Sequence, residues 1–253
     1  MTSQSTGCPS VEYVDQRFPK KVFWGSSCLD EYPTPIVTPG LIPESFVSPV
    51  GFVFRGDFST RGSCFLVGNN WIATAGHVLP SRPQANDCVV VFNHLSHSSR
   101  HSRDLYVLDA SGDGMLCPED LGADLSLIRV APKAPSGELP GERWGWYRIW
   151  EAADLSDEIP VFLVHHPRSK TYKCMSVGRL GKLNENGRRP HTACSDAGSS
   201  GSPLIDEFGR VVAIHVSGDD EGREAIPVQG LVKHLSSILL TPEQASLRSS
   251  VLV

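Results

Sequence analysis

Four residues, Gly198-Ser199-Ser200-Gly201, constrain this chain more than any other stretch. They follow Cys194-Ser195-Asp196-Ala197 and open into an apolar run, Pro203-Leu204-Ile205, with a second run soon after, Arg210-Val211-Val212-Ala213-Ile214-His215. Glycines at 198 and 201 let the backbone turn sharply and present the Ser200 hydroxyl. The surrounding N–H groups are then free to point at a substrate oxygen rather than into a ladder. A serine hydroxyl is a weak nucleophile until a base is held against it. One upstream segment offers such a base, Trp71-Ile72-Ala73-Thr74-Ala75-Gly76-His77-Val78. Between the two lies Ala123-Asp124-Leu125-Ser126-Leu127-Ile128, an acid leading into an apolar run, where burial and a histidine partner are expected. Asp113, Glu119 and Asp120 are nearby rivals, but none enters an apolar strand.

His77, Asp124 and Ser200 stand in the chain order His-Asp-Ser, not the Ser-Asp-His order of α/β-hydrolases. Their contexts read TAGHV, ADLSLIRV and GSSGSPL. They resemble the TAAHC, DIALLRL and GDSGGPL segments of the chymotrypsin-fold, trypsin-like serine proteases. The agreement runs from about Gly51 to Leu235. The resemblance implies an all-β fold of two six-stranded antiparallel β-barrels with the active site in the cleft between them. It also implies an endopeptidase that acylates Ser200, with His77 as general base and acid and Asp124 orienting it. The oxyanion hole would be the N–H groups of Gly198 and Ser200. No cofactor is expected, and the partner would be a protein or peptide substrate. A catalytically silent peptide-binding module is the rival class.

The P1 preference stays open in the sequence. His215 lies in the strand that lines the primary specificity pocket in this fold, and Ser195 stands five residues before the nucleophile. Both features resemble glutamyl endopeptidases of the V8 type, and viral 3C-like proteases use a comparable histidine for glutamine. An imidazole and a hydroxyl can donate to a carboxylate or amide but cannot neutralise a lysine. Against this, Val164-His165-His166-Pro167 resembles a segment of bacterial lysyl endopeptidase. Asp219, Asp220, Glu221 and Glu224 would supply carboxylates for a basic side chain. Cys194 is expected near the base of the same pocket.

Short apolar runs separated by turn residues, rather than strands alternating with helices, indicate a barrel or sandwich. The expected strands are Val50–Phe54, Ser63–Val67, Trp71–Thr74, Cys88–Phe92, Asp104–Leu108 and Leu125–Val130, then Ile159–Val164, Lys173–Leu183 and Val211–Val216. Apolar residues recurring at three to four from Leu231 predict a C-terminal helix ending near Thr241-Pro242. The organisation expected is an arm over 1–45, a first barrel over 46–135, a second barrel with its helix over 136–243, and a tail over 244–253. The arm wraps the body or, in the competing reading, is a removable propeptide.

A net charge of −5 argues against a nucleic-acid partner, which demands a basic face. No apolar run reaches the length of a membrane span. The N-terminus lacks the basic start and apolar core of a signal peptide, and the 7 cysteines show no CxxC or zinc spacing. Val78 and Asp196 occupy places where extracellular relatives carry bridging cysteines. Reduced thiols in the cytoplasm are the expectation. Asp109–Asp120 partly matches a calcium loop, and His94, His97 and His101 share a Ser/Arg-rich loop; neither is expected to hold a metal.

Overall fold

The computed structural model describes residues 34–35, 44–56, 59–92, 105–147, 149, 158–167, 173–219, 222–237 and 244. Most of the expected N-terminal arm, the His94–His101 loop and the end of the C-terminal helix lie outside them.

Two β-barrels account for the described chain. The first uses β2 (Val50–Arg55), β3 (Thr60–Leu66), β4 (Trp71–Ala75), β5 (Cys88–Val91), β6 (Leu105–Asp109) and β8 (Leu125–Val130). Their hydrogen-bonded order is β4-β3-β2-β5-β6-β8, and β4 pairs with β8 to close the ring of six. The two-residue β7 (Met115–Leu116) adds to β8 outside that ring. The second barrel uses β9 (Ile159–His165), β10 (Cys174–Leu180), β11 (Arg189–His191), β12 (Pro203–Ile205), β13 (Val211–Asp219) and β14 (Gly222–Pro227). Here the order is β10-β11-β14-β13-β12-β9, and β9 pairs with β10 to close it. The short β1 (Thr34–Pro35) joins β10 from outside. Every one of these pairings is antiparallel.

Period-2 alternation decides which side chains fill which core. Along β9, Val161 and Leu163 point into the second barrel with Leu180, Ala193 and Leu204. Their neighbour Val164 instead joins Ile205, Ile214 and Val216 in a core continuous with the first barrel. Burying each such aliphatic side chain stabilises the fold by about 1.5–3 kcal/mol. The seam between the barrels is therefore apolar, apart from the polar groups that the site requires.

Short helices punctuate the strands: α1 (Arg82–Asn86), α2 (Pro118–Leu121) and α3 (Pro140–Trp144), each with proline in its first turn. There the missing N–H costs nothing. Helix α4 (Val228–Ser237) begins directly after β14, three residues earlier than periodicity alone indicates. Its Val228, Leu231, Val232 and Leu235 are buried in the larger core.

Candidate active site

Strand β4 ends at Ala75, opposite Leu125 at the start of β8. This register sets Gly76 and His77 beside Asp124. Gly76 N–H donates to the Asp124 carbonyl at 2.9 Å, and His77 N–H donates to Asp124 Oδ1 at 2.8 Å. His77 Nδ1–H donates to Asp124 Oδ2 at 2.9 Å. A side chain at 76 would strike Pro118 at 2.5 Å and Asp124 Oδ1 at 2.9 Å, so only glycine permits the approach. Beyond the histidine, the buried Ser126 hydroxyl donates to the Leu79 carbonyl at 2.7 Å and fixes the other side of the loop.

Burial raises the Asp124 pKa, but the His77 hydrogen bonds and charge outweigh it and hold the carboxyl below the ordinary aspartate value. The carboxylate thus stays ionised and accepts Nδ1–H, which leaves the lone pair on Nε2 for a proton. The rival Asp120 is used elsewhere: Oδ2 accepts Cys117 N–H at 2.9 Å and lies 3.8 Å from Arg82.

The serine turn is pressed onto the same strand ends. Gly201, at φ 89°, lies so close to the first barrel that a Cβ would be 2.1 Å from the Ser63 carbonyl and 2.2 Å from Thr74 Oγ1. Gly201 N–H donates to the His215 carbonyl at 2.8 Å, and His215 N–H to the Ser202 carbonyl at 2.9 Å, which ties the turn to β13. Gly198 takes φ 92° and is half-buried. Ser200 Oγ is 3.4 Å from the Val216 carbonyl. That contact is long, and the hydroxyl can leave it by rotating about χ1.

Ser195 and His215 do come together. A methyl group placed on Gly218 would lie 2.9 Å from Ser195 Oγ, 3.2 Å from Arg223 Cγ and 3.6 Å from His215 Cε1. Arg223 sits opposite both Gly218 on β13 and His191 on β11. Directly opposed residues share a sheet face, so Gly218, Arg223 and His191 line one surface. His215 is almost fully buried, and its Nδ1 lies 2.9 Å from His191 Nε2, one ring donating to the other. Burial first, then their neighbouring rings and the Arg223 charge, hold both imidazoles far below the ordinary histidine pKa. Cys194 is half-buried beside Ser195.

Arg223 and His191 were not legible as site residues in the sequence. The first appears only as a charge in an acidic loop, the second as a residue after a turn. Strand pairing puts them on the sheet face that carries Gly218. Glu224, one residue on, points the other way: Oε2 accepts from Arg188 at 2.9 Å and Oε1 from Asn184 at 3.1 Å. Asp220 and Glu221 lie outside the described residues, as does the Asp219 side chain. The calcium-like loop has its leading carboxylate engaged, since Asp109 is bound by Arg129 at 2.8 Å and by Ser111. Cys64, Cys88, Cys117, Cys174 and Cys194 are free thiols.

Two closed barrels with a His-Asp pair and a serine turn at their seam define a class, and comparison with known proteins names it. Residues 62–214 match the model of the trypsin-like peptidase domain, more than half of the chain. The chain belongs to that family. A curated relative, the uncharacterized protein y4fB of Sinorhizobium fredii (strain NBRC 101917 / NGR234), is 23% identical over 178 residues. The match covers 66% of this chain and 27% of the relative, so the chain spans about a quarter of that protein's length. Among solved structures, Deg5 superposes with a TM-score of 0.55 at 19% identity, covering 74% of this chain and 87% of Deg5. A Glu endopeptidase in complex with MPD gives a TM-score of 0.59 at 15% identity, covering 75% and 89%. At these identities the likeness is one of fold.

Proposed function

We propose that the chain is a serine endopeptidase that works through His77, Asp124 and Ser200 and prefers an acidic or amide side chain at P1. The observation that carries the catalytic reading is the doubly hydrogen-bonded His77–Asp124 pair beside a clamped serine turn. Ser200 rotates from the Val216 carbonyl toward His77 Nε2 and attacks the scissile carbonyl carbon, and His77 takes the hydroxyl proton. The N–H groups of Gly198 and Ser200 receive the oxyanion. The C–N bond then breaks, His77 returns the proton to the leaving amine, and water repeats the sequence on the acyl-enzyme.

The preference at P1 rests on what surrounds Ser195. His215 and Ser195 are donors, and Arg223 adds positive charge to the same wall. A carboxylate entering there would favour protonated His215, with Nδ1 hydrogen-bonded to His191. A lysine would meet no described carboxylate, because Glu224 is held by Arg188 on the opposite face. The five free thiols support a reducing, cytoplasmic setting.

A fluorophosphonate probe tests the catalytic reading. It should label Ser200 stoichiometrically and abolish peptide hydrolysis. A chain that binds peptides yet resists the label would be the silent binding module instead.

A further inference from the structure

An oxyanion hole functions only if the turn carrying its two N–H groups is held in one conformation before substrate arrives. Ser199, the residue before the nucleophile, is fully buried in this turn. Its Oγ accepts Asp196 N–H at 3.0 Å and hydrogen-bonds His165 Nδ1 at 2.7 Å. On its far side, His165 Nε2 meets Ser176 Oγ at 3.1 Å, and the imidazole itself is wholly enclosed. A continuous chain therefore runs from the backbone of Asp196 through Ser199 and His165 to β10.

A second support arrives from the first barrel. Ser63 on β3 is fully buried and donates from Oγ to the Gly198 carbonyl at 2.8 Å while accepting His166 N–H at 3.1 Å. Its own N–H donates to the Ser200 carbonyl at 2.9 Å. The Gly198 and Ser200 carbonyls are thus both occupied, so the peptides adjoining the proposed oxyanion N–H groups cannot turn over without breaking buried hydrogen bonds; in the Ser199–Ser200 peptide itself, the Ser199 carbonyl accepts Ser202 N–H at 3.1 Å. Losing a buried partner is costly because the group left behind has no water to replace it.

We propose that His165 and Ser63 are positioning residues for the oxyanion turn. Acting through Ser199 and the Gly198 carbonyl, they hold the Gly198 and Ser200 N–H groups convergent by neutral hydrogen bonds alone. This rests on the catalytic reading above. Burial, above all, pushes His165 down to about 3, so the chain of neutral partners persists across the ordinary working range of pH. The turn then needs neither an ion pair nor a newly cut N-terminus to become competent.

The test uses the full chain and Ser199→Ala, His165→Leu, His165→Gln and Ser63→Ala, with a P1-Glu peptide substrate and the matching peptide aldehyde, which binds as a tetrahedral adduct. In Ser199→Ala, His165→Leu and Ser63→Ala, kcat should fall ten- to a hundredfold with KM within twofold. Aldehyde affinity should fall in proportion to kcat/KM. His165→Gln, which keeps a donor and an acceptor, should recover most of the loss. Wild-type kcat in Ser199→Ala overturns the proposal. So does a loss that falls on KM while aldehyde affinity is kept. If one alanine variant fails to fold, the glutamine variant and the remaining one still decide between these outcomes. A wild-type chain that neither labels at Ser200 nor turns over fails the catalytic reading itself, a result distinct from a labelled, active Ser199→Ala.

Discussion

Arg188 and Glu224 are joined at 2.9 Å on the face of β14 turned away from Arg223. One strand thus gives its acid to a surface pair and its neighbouring base to the face shared with Gly218 and His191. Arg223 itself forms no ion pair among the described residues. Two consequences for specificity can be measured. Arg223→Glu should shift the P1 preference from Glu toward Lys, because it reverses the charge of the side chain beside Gly218. Glu224→Gln should leave the preference as it was. A P1 scan of both variants decides: if Glu224→Gln erases a preference for basic residues, the pocket has been read backwards.

Removing the His215 imidazole should be felt by acidic substrates first. Losing a hydrogen bond to a charged group costs about 1.5–3 kcal/mol, roughly ten- to two-hundredfold in rate. His215→Ala should therefore lower kcat/KM for P1-Glu peptides by that factor and for P1-Leu peptides far less. Equal losses on both would assign His215 to the scaffold.

Asp124→Asn should keep the His77 loop in place yet lower kcat by about 10⁴-fold. The amide can donate to Nδ1, which selects the tautomer that has no lone pair on Nε2. Stopped-assay turnover, with circular dichroism to check the fold, measures this. An Asp124→Asn enzyme within tenfold of wild type would remove Asp124 from the machinery.

Acid should destabilise this protein more steeply than carboxylate titration alone would. His165 is held at about 3 in the fold, while in the unfolded chain it titrates near the ordinary histidine value of 6.5. Between those values the unfolded state binds a proton that the folded state refuses, so stability falls as pH falls through the window. The slope is about 1.4 kcal/mol per pH unit for one such group. His191 and His215, also depressed by burial, act in the same direction. Urea midpoints from pH 7 to 4 should show a slope that decreases in His165→Leu; parallel curves would contradict it.

Lys173 predicts the opposite limb. It is fully buried, with Nζ donating to the Val47 carbonyl at 2.6 Å and to the Ser48 carbonyl at 3.2 Å. Burial pushes it down from 10.5 to about 7. From pH 7 upward the unfolded chain keeps a proton that the fold releases, so stability should rise with pH. Lys173→Met should lack that rise. The comparison belongs between pH 7 and 8.5, below the ordinary thiol range, because burial pushes the Cys64 thiol up and its effect opposes that of Lys173.

What was legible in the sequence was local. Leu125–Val130 is a strand over the very residues that alternation indicates, and six of the runs in the first half end within a few residues of their observed limits. His77, Asp124 and Ser200 stood out because each sits in its own short motif. The rest depends on register. β11, with Arg189-Pro190-His191, has too few residues and an unfavourable proline for any pattern to mark it. Arg223 comes beside Gly218 and His191 only because β14 pairs with both β11 and β13. Ser199 and His165 are 34 residues apart, and no spacing rule joins them.

Ser63 carries a further meaning for how the molecule comes to exist. Its backbone and hydroxyl bind the carbonyls of Ser200 and Gly198, so the loop bearing Ser200 is also the clasp between the two halves. The second half alone supplies the contacts of the turn to His165 and to β13, but those from Ser63 exist only once the two halves meet. Competence therefore arrives in one cooperative step with docking. A polypeptide nicked between residues 131 and 145 should regain turnover only as fast as its fragments find each other, which makes activity a direct clock for their assembly.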